Sequence, residues 1–170
     1  EVANLSVSFR SESGPVTAVR SLNYQIQPGE VVGLVGESGS GKTVSSLAIM
    51  DLLPSSARVS GSVRFEGHEL VGQGDAELSS LRGRRISMIF QDPLSALTPV
   101  YTIGQQISEA ILVHNKMARA AALDRAVALL DLVGIANPRQ RATAFPHELS
   151  GGMRQRVMIA MAIANDPALI

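Results

Sequence analysis

The 170-residue sequence contains no cysteine. Disulfide frameworks and cysteine-ligated zinc sites are therefore excluded, and the composition fits a reducing compartment. An excess of either charge is missing as well: fifteen Lys and Arg balance fifteen Asp and Glu, for a formal net charge of +0. No global attraction to nucleic acid or anionic lipid follows, so either partner would need a local patch. Arg82, Arg84 and Arg85 form the only dense basic cluster, which reads as a solvated strand end. No apolar run approaches the roughly 18 residues that span a bilayer, and the N-terminus has no basic-then-apolar leader. The expectation is a soluble chain that works at a membrane only by docking on something that spans it. Lysine is scarce too, with Lys42 and Lys116 against thirteen arginines. An ordinary solvated position here would carry arginine, so Lys42 asks for a chemical reason.

With 45% hydrophobic residues and 18% charged ones, the chain suits one domain with a real core, or one domain with a small inserted lobe. The N-terminal third has the period of strands: LSVSF (5–9), a turn over SESGP (11–15), then Leu22, Tyr24 and Ile26 before a PGE turn. VVGLV (31–35) is apolar on both faces, which predicts a central parallel strand covered by helices. TVSSLAIMDLL, from Thr43 to the stop at Pro54, is helical. GSVRFEG (61–67) predicts an antiparallel strand, and RRISMIFQD (84–92) a buried strand ending in a loop. From Ile103 the period becomes helical, in IGQQISEAILVH and again through Leu123, Ala126, Val127, Leu130 and Val133 to Gly134. Residues 100–147 thus read as a helical lobe inserted into an α/β core. A nearly all-apolar helix follows LSGG, over 152–164, and stops at Asn165-Asp166-Pro167; ALI (168–170) begins another strand.

Three stretches carry chemistry. Gly36-Glu37-Ser38-Gly39-Ser40-Gly41-Lys42-Thr43 matches the phosphate-loop pattern G-x-x-x-x-G-K-[ST], with a strand before it and a helix after it. Glycines let the backbone curl so that N–H groups meet phosphate oxygens, and the helix N-terminus adds partial positive charge. Lys42 would bridge the β- and γ-phosphates and the Thr43 hydroxyl would ligate Mg²⁺. The motif establishes nucleotide binding without choosing among kinases, switches and motors. Gln91, after ISMIF and at the head of QDP (91–93), can reach Mg²⁺ or orient an attacking water. In LSGGMRQR (149–156), Ser150 is a good N-cap and Gly151 and Gly152 open a second anion site at a helix start. Two successive glycines cost helix stability and need a reason, and close approach to a phosphate is one. Arg154 and Arg156 read as the wet face of that helix.

In this order, separated by a helical segment, GESGSGKT, Gln91 and LSGGMRQR resemble the nucleotide-binding subunit of an ATP-binding cassette (ABC) transporter. GLVGESGSGKT, IFQDPLSALTPVYTIGQQISEAI and FPHELSGGMRQRVMIAMAIANDP are similar, more narrowly, to dipeptide, oligopeptide or nickel importer ATPases, over essentially the whole chain. The resemblance implies an α/β P-loop NTPase core with an N-terminal antiparallel β subdomain, about 1–99 with 148–170, and an inserted α-helical subdomain, about 100–147. ATP and Mg²⁺ are the implied cofactors. Residues 36–43, Val44, Ser150, Gly151, Gly152 and Gln155 would hold the nucleotide, with Phe9 stacking on adenine, Lys42 and Gln91 acting in catalysis, and Thr43 and Gln91 on the metal. Two such domains close head to tail, so that LSGG serves a phosphate held by the partner. The helical lobe and the loop after Gln91, including Pro99 to Gly104, would touch transmembrane permease subunits. An extracytoplasmic solute-binding protein would be an indirect partner, nucleic acid no partner, and the location the cytoplasmic face of the bacterial plasma membrane.

One family feature is missing: an apolar strand ending in Asp-Glu, with a later switch histidine. AIMD (48–51) and ALLD (128–131) fall inside helical patterns, and His68, His114 and His147 read as surface or packing residues. The resemblance implies truncation before the acidic (Walker B) strand, an ATPase parent, and little or no turnover by these residues alone. Two alternatives stand: a soluble ABC-type ATPase acting on DNA, and a nucleotide-binding module without turnover.

Overall fold

The computed structural model describes residues 1–12, 14–92 and 96–170. The chain forms two compact units, residues 1–79 and 80–170. Ser13, within the expected turn at 11–15, lies outside the described residues, as does Pro93 of the QDP stretch.

The first unit is built on β1 (Val2–Phe9), β2 (Val16–Tyr24), β3 (Ala57–Phe65) and the short β4 (His68–Glu69), in the order β2-β1-β3-β4 and antiparallel throughout. Hairpins account for β1–β2 and β3–β4, whereas β1 pairs with β3 across the intervening β2 and α1. Val2, Leu5 and Val7 are buried along β1, and the odd spacing between the first two marks a register irregularity at Asn4. There the backbone turns to φ 53°, and the Asn4 N–H leaves the ladder to donate to Asn23 Oδ1 at 2.8 Å. Helix α1 (Lys42–Ile49) packs on β1 and β2 through buried Ser45 and Ala48. It is capped at Met50, short of Pro54, because Asp51 adopts φ 51° and ends the helical path.

Two expected strands are not formed among the described residues. Residues 31–35 carry no strand hydrogen bonding, and Val31 and Val35 are 97% and 95% exposed. A parallel strand needs a neighbour on each side to take its N–H and C=O groups. Both flanks of β1 are already occupied by β2 and β3, and the first unit supplies no other central partner. Residues 84–92 keep only Ile86 and Ser87 buried, while Ile89 and Phe90 are exposed. Helix α2 (Asp75–Leu81) carries the chain from one unit to the next.

The second unit is helical: α3 (Ile103–Leu112), α4 (Arg119–Leu132), α5 (Pro138–Ala142), a 3₁₀ turn (Pro146–Glu148) and α6 (Gly151–Ala162). Ile103, Ile107 and Ile111 recur every four residues on α3, fully buried, and meet Ala122, Ala126 and Leu130 at the same spacing on α4, with Val157 and Met158 of α6. Each such burial contributes roughly 1.5–3 kcal/mol. Helix α4 stops, as the sequence predicts, where Gly134 takes φ 74°. Beyond α6, Asn165 Nδ2 donates to Gly83 O and Ala110 O, both at 2.9 Å, and Asn165 Oδ1 accepts from Asn115 Nδ2 at 2.8 Å. Arg125 Nη2 donates to Ala164 O and to Asp166 Oδ2, each at 2.8 Å. The chain leaves this clamp beside Ile86, and Leu169 pairs with it in a parallel bridge. The strand expected to begin at ALI is present only as this isolated bridge at Leu169.

Glu69 closes the small hairpin of the first unit. Its carboxylate accepts from Ser62 Oγ and from the N–H groups of Val63 (2.8 Å), Leu70 (3.2 Å) and Val71 (3.0 Å). Partial desolvation pushes its pKa up, but these hydrogen bonds outweigh that and hold it below the usual glutamate range. A lowered folded value means that the stabilisation is complete above the ordinary glutamate range and lost as pH falls through the folded value. Glu69→Ala should therefore cost on the order of 1–2 kcal/mol near neutrality and little at pH 3, as read by denaturant unfolding across pH.

Candidate functional site

In the first unit, the chain at 36–40 is exposed and ends on the N-terminus of α1. Lys42 folds back over it: Nζ donates to Gly36 O and Glu37 O, both at 2.7 Å, and to Ser40 Oγ at 3.3 Å. One ammonium thus draws two carbonyls and a hydroxyl into a curl, tightened by the Ser40 N–H donating to Glu37 O at 3.2 Å. A compact ammonium with three donors can do this, whereas a planar guanidinium cannot. That is the reason this position is lysine in an arginine-rich chain.

Gly41 caps α1 with φ 91°, and a Cβ there would lie 2.5 Å from Ala18 O. At Gly36 a Cβ would meet Ser40 Oγ at 2.7 Å. Gly41 is therefore required by the backbone a Cβ would strike, while at Gly36 the cost is turning the Ser40 hydroxyl off Lys42. Having no side-chain cap, α1 directs its first N–H groups outward, and its N-terminal partial charge favours an anion. Thr43 is exposed and Val44 half-buried, while Ser45 and Ser46 turn their hydroxyls back onto Lys42 O at 2.7 and 3.3 Å. Of the hydroxyl residues on α1, Thr43 is the exposed one. Phe9 ends β1, half-buried, opposite Val16 of β2. The Gly41 contact is at Ala18 and Val19 of the same strand, so Phe9 and the loop lie roughly 10 Å apart along β2. That separation suits a flat ring at one end of a nucleotide and phosphates at the other.

The remaining site residues belong to the second unit. Gln91 is exposed. Ser150 caps α6, its Oγ accepting from the Met153 N–H at 3.3 Å, and Gly151, Gly152 and Gln155 are exposed on the first turns. A Cβ at Gly151 or Gly152 would meet no atom within 4 Å. Neither glycine is demanded by packing here, in contrast to Gly41. Arg154 is half-buried and Arg156 exposed, as a wet face requires, but each is also tied to backbone carbonyls. Arg154 Nε donates to Pro146 O at 2.7 Å and fixes the turn that leads into LSGG. Arg156 Nη1 donates to Gly134 O at 2.6 Å and Val133 O at 3.3 Å, capping the C-terminus of α4 where the helix dipole is negative. Periodicity alone could not find these roles, because each partner lies in a loop. His147 is exposed and stacks on Phe145, ring centroids 5.7 Å apart. No group of three or more His, Cys, Asp or Glu that could hold a metal occurs among the described residues.

The fold and the curled loop define a class, the phosphate-loop nucleotide-binding proteins. Solved structures narrow it. A dimeric, post-hydrolysis state of the ATP-binding cassette MJ0796 bound to ADP and Pi matches with TM-score 0.85 and 27% identity, over 98% of this chain and 69% of that one. A dimeric structure of the same bacterial ABC transporter cassette matches with TM-score 0.86, 28% identity and the same coverage. The family model described as ABC transporter matches residues 19–170. The chain belongs to the ABC transporter family. Relatives named oligopeptide transport ATP-binding protein OppD are 59% identical in Mycobacterium tuberculosis, 48% in Bacillus subtilis and 46% in Escherichia coli, over 99–100% of this chain. The chain spans 28%, 48% and 50% of the length of those relatives, half or less in each case.

Lys42 serves the loop twice, as staple and as charge. Lys42→Ala should lower ATP affinity of the whole protein by about 100-fold, equivalent to ~3 kcal/mol for lost charge-assisted bonds. Lys42→Arg should restore less than a tenth of that affinity, since its fork fits neither carbonyl pair nor curl. Titration calorimetry with ATP checks both, and wild-type affinity in Lys42→Ala would overturn the assignment of the cradle.

Proposed function

We propose that these residues form the ATP-binding part of an importer subunit, which couples ATP binding and hydrolysis to uptake of peptides or a similar small solute. The carrying observation is the pair Gly151–Gly152: exposed, unneeded by its own chain, and set on a helix N-terminus. Glycines kept where nothing internal requires them fit close approach by something external. The dimeric states of the structural relatives support a second ABC domain as that neighbour, its phosphate loop facing this LSGG head to tail. The peptide-transport names of the relatives support the cargo class and transmembrane permease partners, with an extracytoplasmic binding protein acting through them. No helix among the described residues is long and apolar enough to cross a membrane. A peripheral place at the cytoplasmic membrane face, held by the permease, follows from that reading.

The residues divide the work. Gly36, Glu37, Ser38, Gly39, Ser40, Gly41 and Lys42 hold phosphates, Val44 lies on the loop's helix, and Phe9 stacks on the base. Ser150, Gly151, Gly152 and Gln155 close on the partner's nucleotide. Thr43 and Gln91 suit Mg²⁺, since hydroxyl and amide oxygens are hard ligands. A bound ion would supply neutralisation of phosphate charge, and the exposed Gln91 amide would be available to orient water. The core comprises about 1–99 with 148–170, and the helical lobe about 100–147. Turnover needs an acidic strand that this stretch does not contain, so hydrolysis belongs to the longer chain.

The glycine argument yields a separable outcome. Gly151→Ala with Gly152→Ala should leave unfolding stability unchanged or raised, by up to about 1 kcal/mol, and leave single-domain ATP affinity intact. ATP-driven dimerisation, followed by light scattering, and steady-state hydrolysis by the whole protein should fall at least tenfold. Undiminished dimerisation would sink the head-to-tail reading.

A further inference from the structure

Three residues past the end of α6, the half-buried Asn165 side chain reaches into other parts of the second unit. Its Nδ2 donates to Gly83 O and Ala110 O, both at 2.9 Å and 82 and 55 residues away, and its Oδ1 accepts from Asn115 Nδ2 at 2.8 Å. An asparagine that only ended α6 would bond to carbonyls of α6, and none of these partners lies on that helix. Two donors and an acceptor on one short arm are what an amide offers and neither aspartate nor leucine can. Gly83, so held, opens the segment that leads to Gln91. With φ 72° it sits against the His114 ring, where a Cβ would stand 3.3 Å from Nε2. The Arg84, Arg85 and Ile86 N–H groups all donate to Leu81 O, at 3.2, 2.8 and 3.1 Å. Beyond this loop the chain is strapped to the residues that follow Asn165. The Ala168 and Leu169 N–H groups donate to Arg85 O at 2.8 and 3.2 Å, and the Ser87 N–H donates to Leu169 O at 2.9 Å. Asn165 thus stands at the root of both sides of the strap, through its side chain on one and through the main chain on the other.

Gln91 is the fourth residue after Ser87, so the strap limits it to a tether of at most about 14 Å. On the other side, α6 is a rod of about 18 Å with the exposed Gly151 and Gly152 at its start. One residue therefore joins the Gln91 segment to the helix that carries LSGG. A one-residue slip in strand pairing turns side chains to the opposite face, and the grip on Gly83 opposes it. We propose that Asn165 is a positioning residue for ATP hydrolysis, which fixes the segment bearing Gln91 to the far end of the LSGG helix so that both move as one body. The proposal rests on the reading above in which Gln91 serves the reaction, and adds to it the residue that sets where Gln91 stands.

The test uses the whole protein assembled with its membrane subunits. Asn165→Leu keeps the shape and removes all three bonds, and Asn165→Asp, of the same size and without donors, takes its place if the leucine variant folds poorly. The kcat for ATP hydrolysis should fall at least about tenfold, with KM and ATP affinity within about twofold of wild type. Hydrogen exchange at the Ser87 amide should accelerate while the amides of the first turns of α6 are unchanged, and Asn165→Gln, which keeps the amide on a longer arm, should recover part of the lost kcat. Action through Gln91 has its own signature: Gln91→Ala should lower kcat by itself, and adding Asn165→Leu to it should cost less than about twofold more. A further tenfold loss in the double variant would mark a merely structural residue and overturn the proposal, as would wild-type kcat or unaltered Ser87 exchange in Asn165→Leu. Wild-type kcat in Gln91→Ala alone would instead overturn the functional reading of Gln91, separately from the hold that Asn165 has on its segment.

Discussion

A strand exists only where a neighbour takes up its N–H and C=O groups, and that constraint decides what this stretch of chain can be. β1 takes β2 on one side through a short hairpin and β3 on the other across β2 and α1, and the first unit closes around it. Parallel pairing needs long crossovers. Among the described residues it amounts to two isolated bridges, Arg82 with Ile86 and Ile86 with Leu169; the second joins distant segments. It forms because the second unit brings Leu169 there by side chains rather than by strand propensity. Asn165 and Arg125 together commit five hydrogen-bonding contacts around the exit from α6. Residues 31–35 have no such guide and remain in water.

The same question of where backbone groups go governs the helix ends, and there side chains answer it. Ser150 caps α6, the Thr102–Gln105 box caps α3, and Arg156 caps the last carbonyls of α4. The N-termini of α1, α4 and α5 have no side-chain cap. That of α1 is set apart by its glycine cap and by the Lys42 ammonium folded over the loop before it. An uncapped N-terminus beside a stapled ammonium concentrates positive potential in a chain of zero net charge. The absence of global charge and the presence of a strong local anion site are therefore compatible.

Local patterns were legible wherever burial or dihedral chemistry acts within a few residues. Periodicity and caps predict strands at 5–9, around Leu22–Ile26 and at 61–67, and helices from Thr43 and Ile103, through Leu123 to Gly134 and over 152–164; each exists, with the strands shifted or lengthened to 2–9, 16–24 and 57–65. VVGLV misled for a physical reason: an apolar run records what a strand would bury, not whether its partners are at hand. The phosphate loop was legible because GESGSGKT has its whole geometry in eight residues. Arg154, Arg156, Gln106 and Asn165 were not. Each bonds to backbone carbonyls between 5 and 82 residues away, and a carbonyl has no residue identity for a pattern to detect.

The two glycine-rich stretches, alike in composition, answer to different constraints. At Gly41, with φ 91°, an added methyl would lie 2.5 Å from the Ala18 carbonyl oxygen, so folding alone excludes a larger residue; at Gly36 it would press at 2.7 Å on the Ser40 hydroxyl, which would have to turn off Lys42. At Gly151 and Gly152 the space is open, and alanine would even favour the helix. Folding cannot account for the second pair. Whatever does must approach within the radius of a methyl group, must be compatible with a helix N-terminus, and must come from outside the described residues. A phosphate on a facing domain meets all three conditions, whereas a cation would be repelled by the helix end and an apolar side chain would gain more from contact with alanine. On the proposed reading, the phosphate loop would hold its ligand by what its glycines permit within the fold, and LSGG would recognise one by what its glycines leave open.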